Sequence, residues 1–202
     1  MTLEIHEATS SDSADLTEIF LAAFSDSFNR TMFPPTPDVR AWATENLFNG
    51  KNQESEHELY LKVTDTDFDE TVAFAKWVRP FHAVVDRNRH PEEVREWPIS
   101  SDKGLCELFF GTMDDHHHRL MDDRPHYYLE MLGVHPSHQG RGLASKLLKW
   151  GLARADKESV EVYLSSSPDG KPLYLKNGFQ SLDSFSPFPG YEQLNMIRPA
   201  QH

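Results

Sequence analysis

The stretch from Tyr127 to Ser167 constrains the fold of this chain more than any other. YYLEMLGV (127–134) has the apolar, aromatic character of a strand, and HPSHQGRG (135–142) is a loop with two glycines. LASKLLKWGLARADK (143–157) is an amphipathic helical pattern, and VEVYLSSS (160–167) reads as a second strand. Two strands joined by a crossover helix run parallel, and parallel strands are buried. The chain is therefore expected to be an α/β protein.

The remainder adds elements without competing with that unit. Leu3–Glu7 is a short alternating strand that runs into SSDSAD, a good helix start. Leu16, Ile19, Phe20, Ala23, Phe24 and Phe28 recur at spacings of three and four, which predicts one helix through about residue 28. MFPPTPD is irregular, and Pro37-Asp38 opens a second helix with Val39, Trp42, Ala43 and Leu47 on one side. Glu58–Val63 and Thr71–Val78 are strands around the acidic turn DTDFDE, a hairpin. Residues 80–125 look inserted, with a helix from Asp102 to Met121 whose apolar side is Leu105, Leu108, Phe109 and Leu120.

Length and charge narrow the classes of function. A chain of 202 residues with 38% apolar content and 13 Phe suits one domain spanning 1–202. Its formal charge of −12 repels a phosphate backbone, so no nucleic-acid partner is expected. Cys106, the one cysteine, excludes an intrachain disulfide and a cysteine-based zinc cage. The acidic start MTLEIHEATSSDSAD is unlike a signal peptide and no apolar run reaches the ~20 residues of a membrane span, so a cytoplasmic protein with no membrane partner is expected. In DDHHHR (114–119), Asp114 and His118 share a helix face, but three consecutive histidines point in three directions. A solvated helix face is the simpler reading, and no metal is expected.

The loop before the 143–157 helix has the makings of an anion site. Glycines at Gln139-Gly140-Arg141-Gly142-Leu143-Ala144 let a ligand approach the main chain, and N–H groups at a helix start favour a phosphate or pyrophosphate. Residues 135–157 hold five Lys or Arg against Asp156, a local balance of +4. A dinucleotide fingerprint fails because Ser145 stands where its third glycine belongs, and no P-loop sequence occurs.

Gln139-x-x-Gly142-x-Ala144 matches [QR]-x-x-G-x-[GA], the pyrophosphate loop of the GNAT superfamily of acetyl-CoA-dependent N-acetyltransferases, which this chain resembles. Leu132-Gly133-Val134-His135-Pro136 looks like the family's strand end, and Leu173-Tyr174-Leu175-Lys176-Asn177-Gly178-Phe179 like its second signature. The likeness covers the chain except residues 80–125, and the run from ADK to P-D-G-K-P-L-Y is similar to fungal small-molecule members. It implies a central mixed (α+β) sheet flanked by helices, acetyl-CoA as co-substrate without a metal, and acetyl transfer to a primary amine of a small molecule by direct attack in a ternary complex. A protein acetyltransferase acting on a lysine or N-terminus, and a non-catalytic acyl-CoA-binding module, are the alternatives.

The resemblance also implies roles. Gln139, Gly140, Arg141, Gly142, Leu143, Ala144 and Ser145 would bind the diphosphate. Leu132, Gly133 and Val134 would hold the pantetheine arm and polarise the thioester carbonyl through backbone amides. Ser167 stands where many members carry an arm-binding Asn. Tyr174 would protonate the leaving sulfur. Glu130 shares a strand face with Tyr128 and is the candidate base, with the alternatives that it only attracts a cationic substrate, bonds the backbone, or works through water. Phe28, Met32, Phe33 and Trp42, with Tyr128, are candidate acceptor-pocket walls, or else core. The negative charge favours a cationic amine acceptor, bound by a monomer or homodimer.

Overall fold

The computed structural model describes residues 2–48, 57–80 and 96–201. Among these, seven strands form one sheet: β1 (Leu3–Glu7), β2 (Glu58–Asp65), β3 (Glu70–Val78), β4 (His126–Val134), β5 (Glu161–Ser166), β6 (Gln180–Phe188) and β7 (Tyr191–Arg198). Their order is β1-β2-β3-β4-β5-β7-β6. Only β4 and β5 pair in parallel, joined by the crossover helix, so the sheet is mixed.

The helices divide between the two faces. Helix α5 (Leu143–Glu158) buries Leu143, Leu147, Leu148, Gly151, Leu152 and Ala155 against Val63, Ala73, Ala75, Leu129, Val162 and Leu164. Its seat is a close approach, because a Cβ on Gly151 would lie 2.2 Å from the Trp77 ring. Short helix α6 (Lys171–Lys176) brings Tyr174 to the same face.

The opposite face carries α1 (Ser13–Ala23), α2 (Ser27–Met32), α3 (Pro37–Asn46) and α4 (Lys103–Met121). Its core is aromatic: Phe20, Phe28, Phe33, Phe48, Tyr60, Phe74, Trp97 and Phe109 are all buried. The single helix expected through residue 28 is two, because the Asp26 carboxylate accepts from the Asn29 amide and restarts the chain as α2. Helix α4 begins as expected, with Asp102 capping Leu105 N–H. Far from hanging outside, it contributes buried Cys106 and Phe109 to this core, whereas Leu108, expected inside, is 55% exposed. Residues 81–95 of the segment read as an insertion lie outside the described residues. Among the described residues no helix is long and apolar enough to cross a membrane.

The DDHHHR segment is less solvated than expected. His117 stacks on Tyr163 at 4.7 Å and meets His126 with 2.7 Å between Nε2 atoms; His116 reaches Asp183 and Asn195. Sheet contacts occupy these rings, and no group of three candidate ligands able to hold a metal occurs among the described residues.

Candidate active site

Strands β4 and β5 pair only from His126↔Glu161 to Leu129↔Leu164. Beyond that point β5 continues with β7 through Ser165↔Asn195 and Ser166↔Leu194, while β4 continues with β3 as far as Val134. The two parallel strands therefore part at Glu130, and the β5-side edge of Glu130–Val134 has no strand partner among the described residues. Leu132, Gly133 and Val134 lie on this open edge, where main-chain donors and acceptors can take an extended ligand. Gly133 is required by packing as well: a Cβ there would stand 2.5 Å from Phe74.

The loop at the end of β4 turns into α5 through two left-handed residues, Gly140 (φ 74°) and Gly142 (φ 79°). A Cβ on either would meet nothing within 4 Å, so packing does not demand these glycines. Backbone angle does, and the space before them is open. The amides of Gly140, Gly142, Leu143, Ala144 and Ser145 donate to no acceptor among the described residues, and the first helical bond is Lys146 N–H to the Gly142 carbonyl. Five outward donors at the positive end of a 16-residue helix fit a diphosphate. Arg141, Lys146 and Lys149 are exposed beside them. The Gln139 side-chain amide donates to the Val134 carbonyl at 3.2 Å and ties the loop to the strand end.

Tyr174 is 8% exposed, packed on Phe179 and over Gly170. Burial raises its phenol well above the ordinary tyrosine value, so it keeps its proton, and its hydroxyl has no hydrogen-bond partner among the described residues. A protonated, uncommitted phenol is what donation to a leaving group needs. Ser167 Oγ accepts from Gly170 N–H at 3.3 Å and closes the turn before α6, leaving its own proton for a ligand.

Glu130 sits at a β-bulge. Lys76 pairs with Met131 and Trp77 with Leu129, so Glu130 is the extra residue between them. Tyr127 and Leu129 face α5, and after the bulge Leu132 and Val134 face it instead. Along the strand Glu130 is flanked by apolar Leu129 and Met131. The structure puts it opposite a cation: its two oxygens lie 2.9 and 3.1 Å from Lys76 Nζ, which also lies 3.2 Å from Glu58 Oε1.

Residues 104–181, which hold the loop, the parting strands and Tyr174, match the family model of the acetyltransferase (GNAT) domain. Over that segment the chain is similar to the GNAT acetyltransferases. A Stachybotrys chartarum protein named acetyltransferase is 31% identical over 83 residues, 39% of this chain, and the chain spans only 35% of that relative's length. Among solved structures, a Corynebacterium glutamicum protein named histone acetyltransferase HPA2 and related acetyltransferase superposes with a TM-score of 0.63 at 22% identity, covering 100% of this chain and 98% of that one. The polyamine N-acetyltransferase of Drosophila melanogaster gives 0.66 at 15% over 98% and 100%. The PaiA N-acetyltransferase of Thermoplasma acidophilum, solved with coenzyme A, gives 0.61 at 14% over 98% and 99%. At these identities the structures establish a shared fold.

On the acceptor side, the aromatics read as pocket walls or else core divide between buried and half-buried positions. Phe28 and Phe33 are 1% and 3% exposed: Phe28 is clasped by Tyr191 and Phe109, and Phe33 by Phe20 and Trp42. Both are aromatic core in place of open pocket wall, and Met32 is buried with them. Trp42 is half-buried on Phe33, and Tyr128 is half-buried beside His117. Lys76 and Glu58 had no place in the sequence reading, because nothing in their spacing along the chain links residues 58, 76 and 130.

Proposed function

We propose that this chain is an acetyl-CoA-dependent N-acetyltransferase that acetylates the primary amine of a small molecule, both reactants being bound together. The unclaimed amides of Gly140 and Gly142–Ser145, beside an unpaired strand edge, carry this reading. Acetyl-CoA supplies an acyl group already activated as a thioester. The loop amides, with Lys146 and Lys149, would hold its diphosphate. The edge from Glu130 to Val134 would align the arm and donate to the thioester carbonyl. Tyr174 would give its proton to the departing sulfur, and Glu130 would take the proton that an ammonium acceptor must lose before attack.

Acetylation of a basic protein tail is the second reading. The −12 charge favours it, and one structural neighbour is named a histone acetyltransferase. Calorimetry should find acetyl-CoA binding in the micromolar range, and release of free thiol should follow with some member of a panel of small amines. No binding at millimolar acetyl-CoA ends both readings. Thiol release with basic peptides alone selects the second, and binding without any turnover leaves a non-catalytic acyl-CoA-binding module.

A further inference from the structure

The cluster around Lys76 holds two carboxylates for one ammonium, and only one of the three side chains reaches solvent. The side chains of Lys76 and Glu58 are 6% and 11% exposed, against 30% for Glu130. A lone buried Lys–Glu pair would make Glu130 a poor proton acceptor, because protonating it would strand a buried cation, a costly state. With Glu58 at 3.2 Å the arithmetic changes: proton uptake by Glu130 takes the cluster from −1 to 0 in place of 0 to +1.

We propose that Lys76 and Glu58 are positioning residues for Glu130, Lys76 aiming its carboxylate and Glu58 keeping the buried ammonium paired when Glu130 takes the acceptor's proton. This rests on the N-acetyltransferase reading and deepens it by naming what tunes the base. The acceptor arrives as R–NH3+, one proton passes to a Glu130 oxygen, and the freed lone pair becomes the nucleophile. As the C–S bond breaks, Tyr174 gives its proton to the sulfur and is reprotonated by the second proton the nitrogen loses; Glu130 returns its proton to solvent after turnover, so no other reactant is needed.

The surroundings support this division of labour. The bulge places Glu130 beside Lys76, where regular alternation continues on both strands on either side. Tyr60 steadies Glu58: its hydroxyl lies 3.1 Å from Glu58 Oε2 and 2.9 Å from the Leu47 carbonyl, and donates to one of them at a time. Its ring lies 5.5 Å from the ammonium. Burial favours a neutral Lys76, but the Glu130 and Glu58 carboxylates outweigh it and hold the ammonium above the ordinary lysine value. Glu130 and Glu58 are the charged groups in ion-pair reach of Lys76 among the described residues, and Tyr60, kept protonated by burial, is the other titratable group against it. Helix α1 packs over β3 and β4 and brings no further ion pair to the cluster among the described residues.

The test is the acid limb of the kcat/KM–pH profile for whichever amine the panel identifies, in Lys76→Met, Glu58→Gln and the double variant. Lys76→Met leaves two carboxylates sharing one site and should move the limb up by about one pH unit or more. Glu58→Gln leaves Glu130 alone with a cation and should move it down by a similar amount, with a lower kcat. The double variant should return the limb to between the two. A merely structural role would change melting temperature and rate without shifting the limb in opposite directions. Limbs that stay put, or move the same way, overturn the proposal. If Lys76→Met does not fold, Glu58→Gln decides alone, and an unmoved or raised limb overturns the proposal. An inactive wild type would overturn both this and the N-acetyltransferase reading, whereas an active wild type with unmoved limbs overturns this one only.

Discussion

The two faces of the sheet are built from different materials. On the α5 face, aliphatic and small side chains pack one helix onto the central strands, and the sharpest contact is an absence, the missing Cβ of Gly151 against Trp77. On the opposite face, α1 to α4 cover the sheet with interlocked aromatic rings, among which Lys76 is buried with its carboxylates. The proposed function gives the difference a reason. A diphosphate and an extended arm would be met by main chain, so the α5 face would need a backbone held in place. An amine acceptor would be met by side chains, and Glu58, Lys76 and Glu130 come from β2, β3 and β4 together.

The contrast can be broken at its sharpest point. Gly142→Glu puts a side chain and a negative charge where the α5-face donors converge. It should weaken acetyl-CoA binding at least 100-fold by calorimetry, while the positive φ lowers stability by only ~1 kcal/mol. Unchanged affinity would mean that these donors hold no ligand. Tyr174→Phe comes next: kcat should fall by about 10²-fold with little change in the KM for acetyl-CoA, and a full-rate variant would return Tyr174 to packing.

Gly151→Ala sharpens the comparison from the packing side. The added methyl meets Trp77 at 2.2 Å, so about 1–3 kcal/mol of stability should be lost by denaturant unfolding. Acetyl-CoA affinity should fall with it if α5 aims the loop, and a loss of stability alone would separate the helix seat from binding. The smallest effect belongs to the aromatic face. Burial holds His126 below the ordinary histidine value even though its Nδ1–H donates to the Arg124 carbonyl. The unfolded chain therefore binds a proton that the folded one refuses, and stability falls as pH drops below about 6.5 toward the lower folded value. His126→Asn should flatten that slope, seen as a smaller difference between melting temperatures at pH 7.5 and 5.5.

How far each face could be read in advance follows the same division. The strand, glycine loop and helix at 127–158 are encoded locally, by apolar period and by residues that permit positive φ, so the donors at Gly142–Ser145 could be placed from sequence. Helix α4 could be placed too, since Asp102 caps it and Met121 ends it. Its inward face could not, because Leu108 and Phe109 compete for the core and tertiary packing admits only Phe109. The break between α1 and α2 hides inside an unbroken apolar period, and the Asp26 cap decides it. Phe28 and Phe33 were ambiguous in kind, since an aromatic at helical spacing suits a core as well as a pocket. The bulge at Glu130 leaves no mark on one strand's sequence, being a property of how β4 meets β3.

That extra residue is one the strand could lose without losing its lining. Excising Glu130 would restore strict alternation, with Leu129 still opposite Trp77 and Met131 still opposite Lys76. Leu132 and Val134 would keep looking toward the α5 helix, and Met131 and Gly133 into the aromatic layer. The residue is therefore surplus to the packing of either face, and what its removal would take away is the carboxylate beside Lys76.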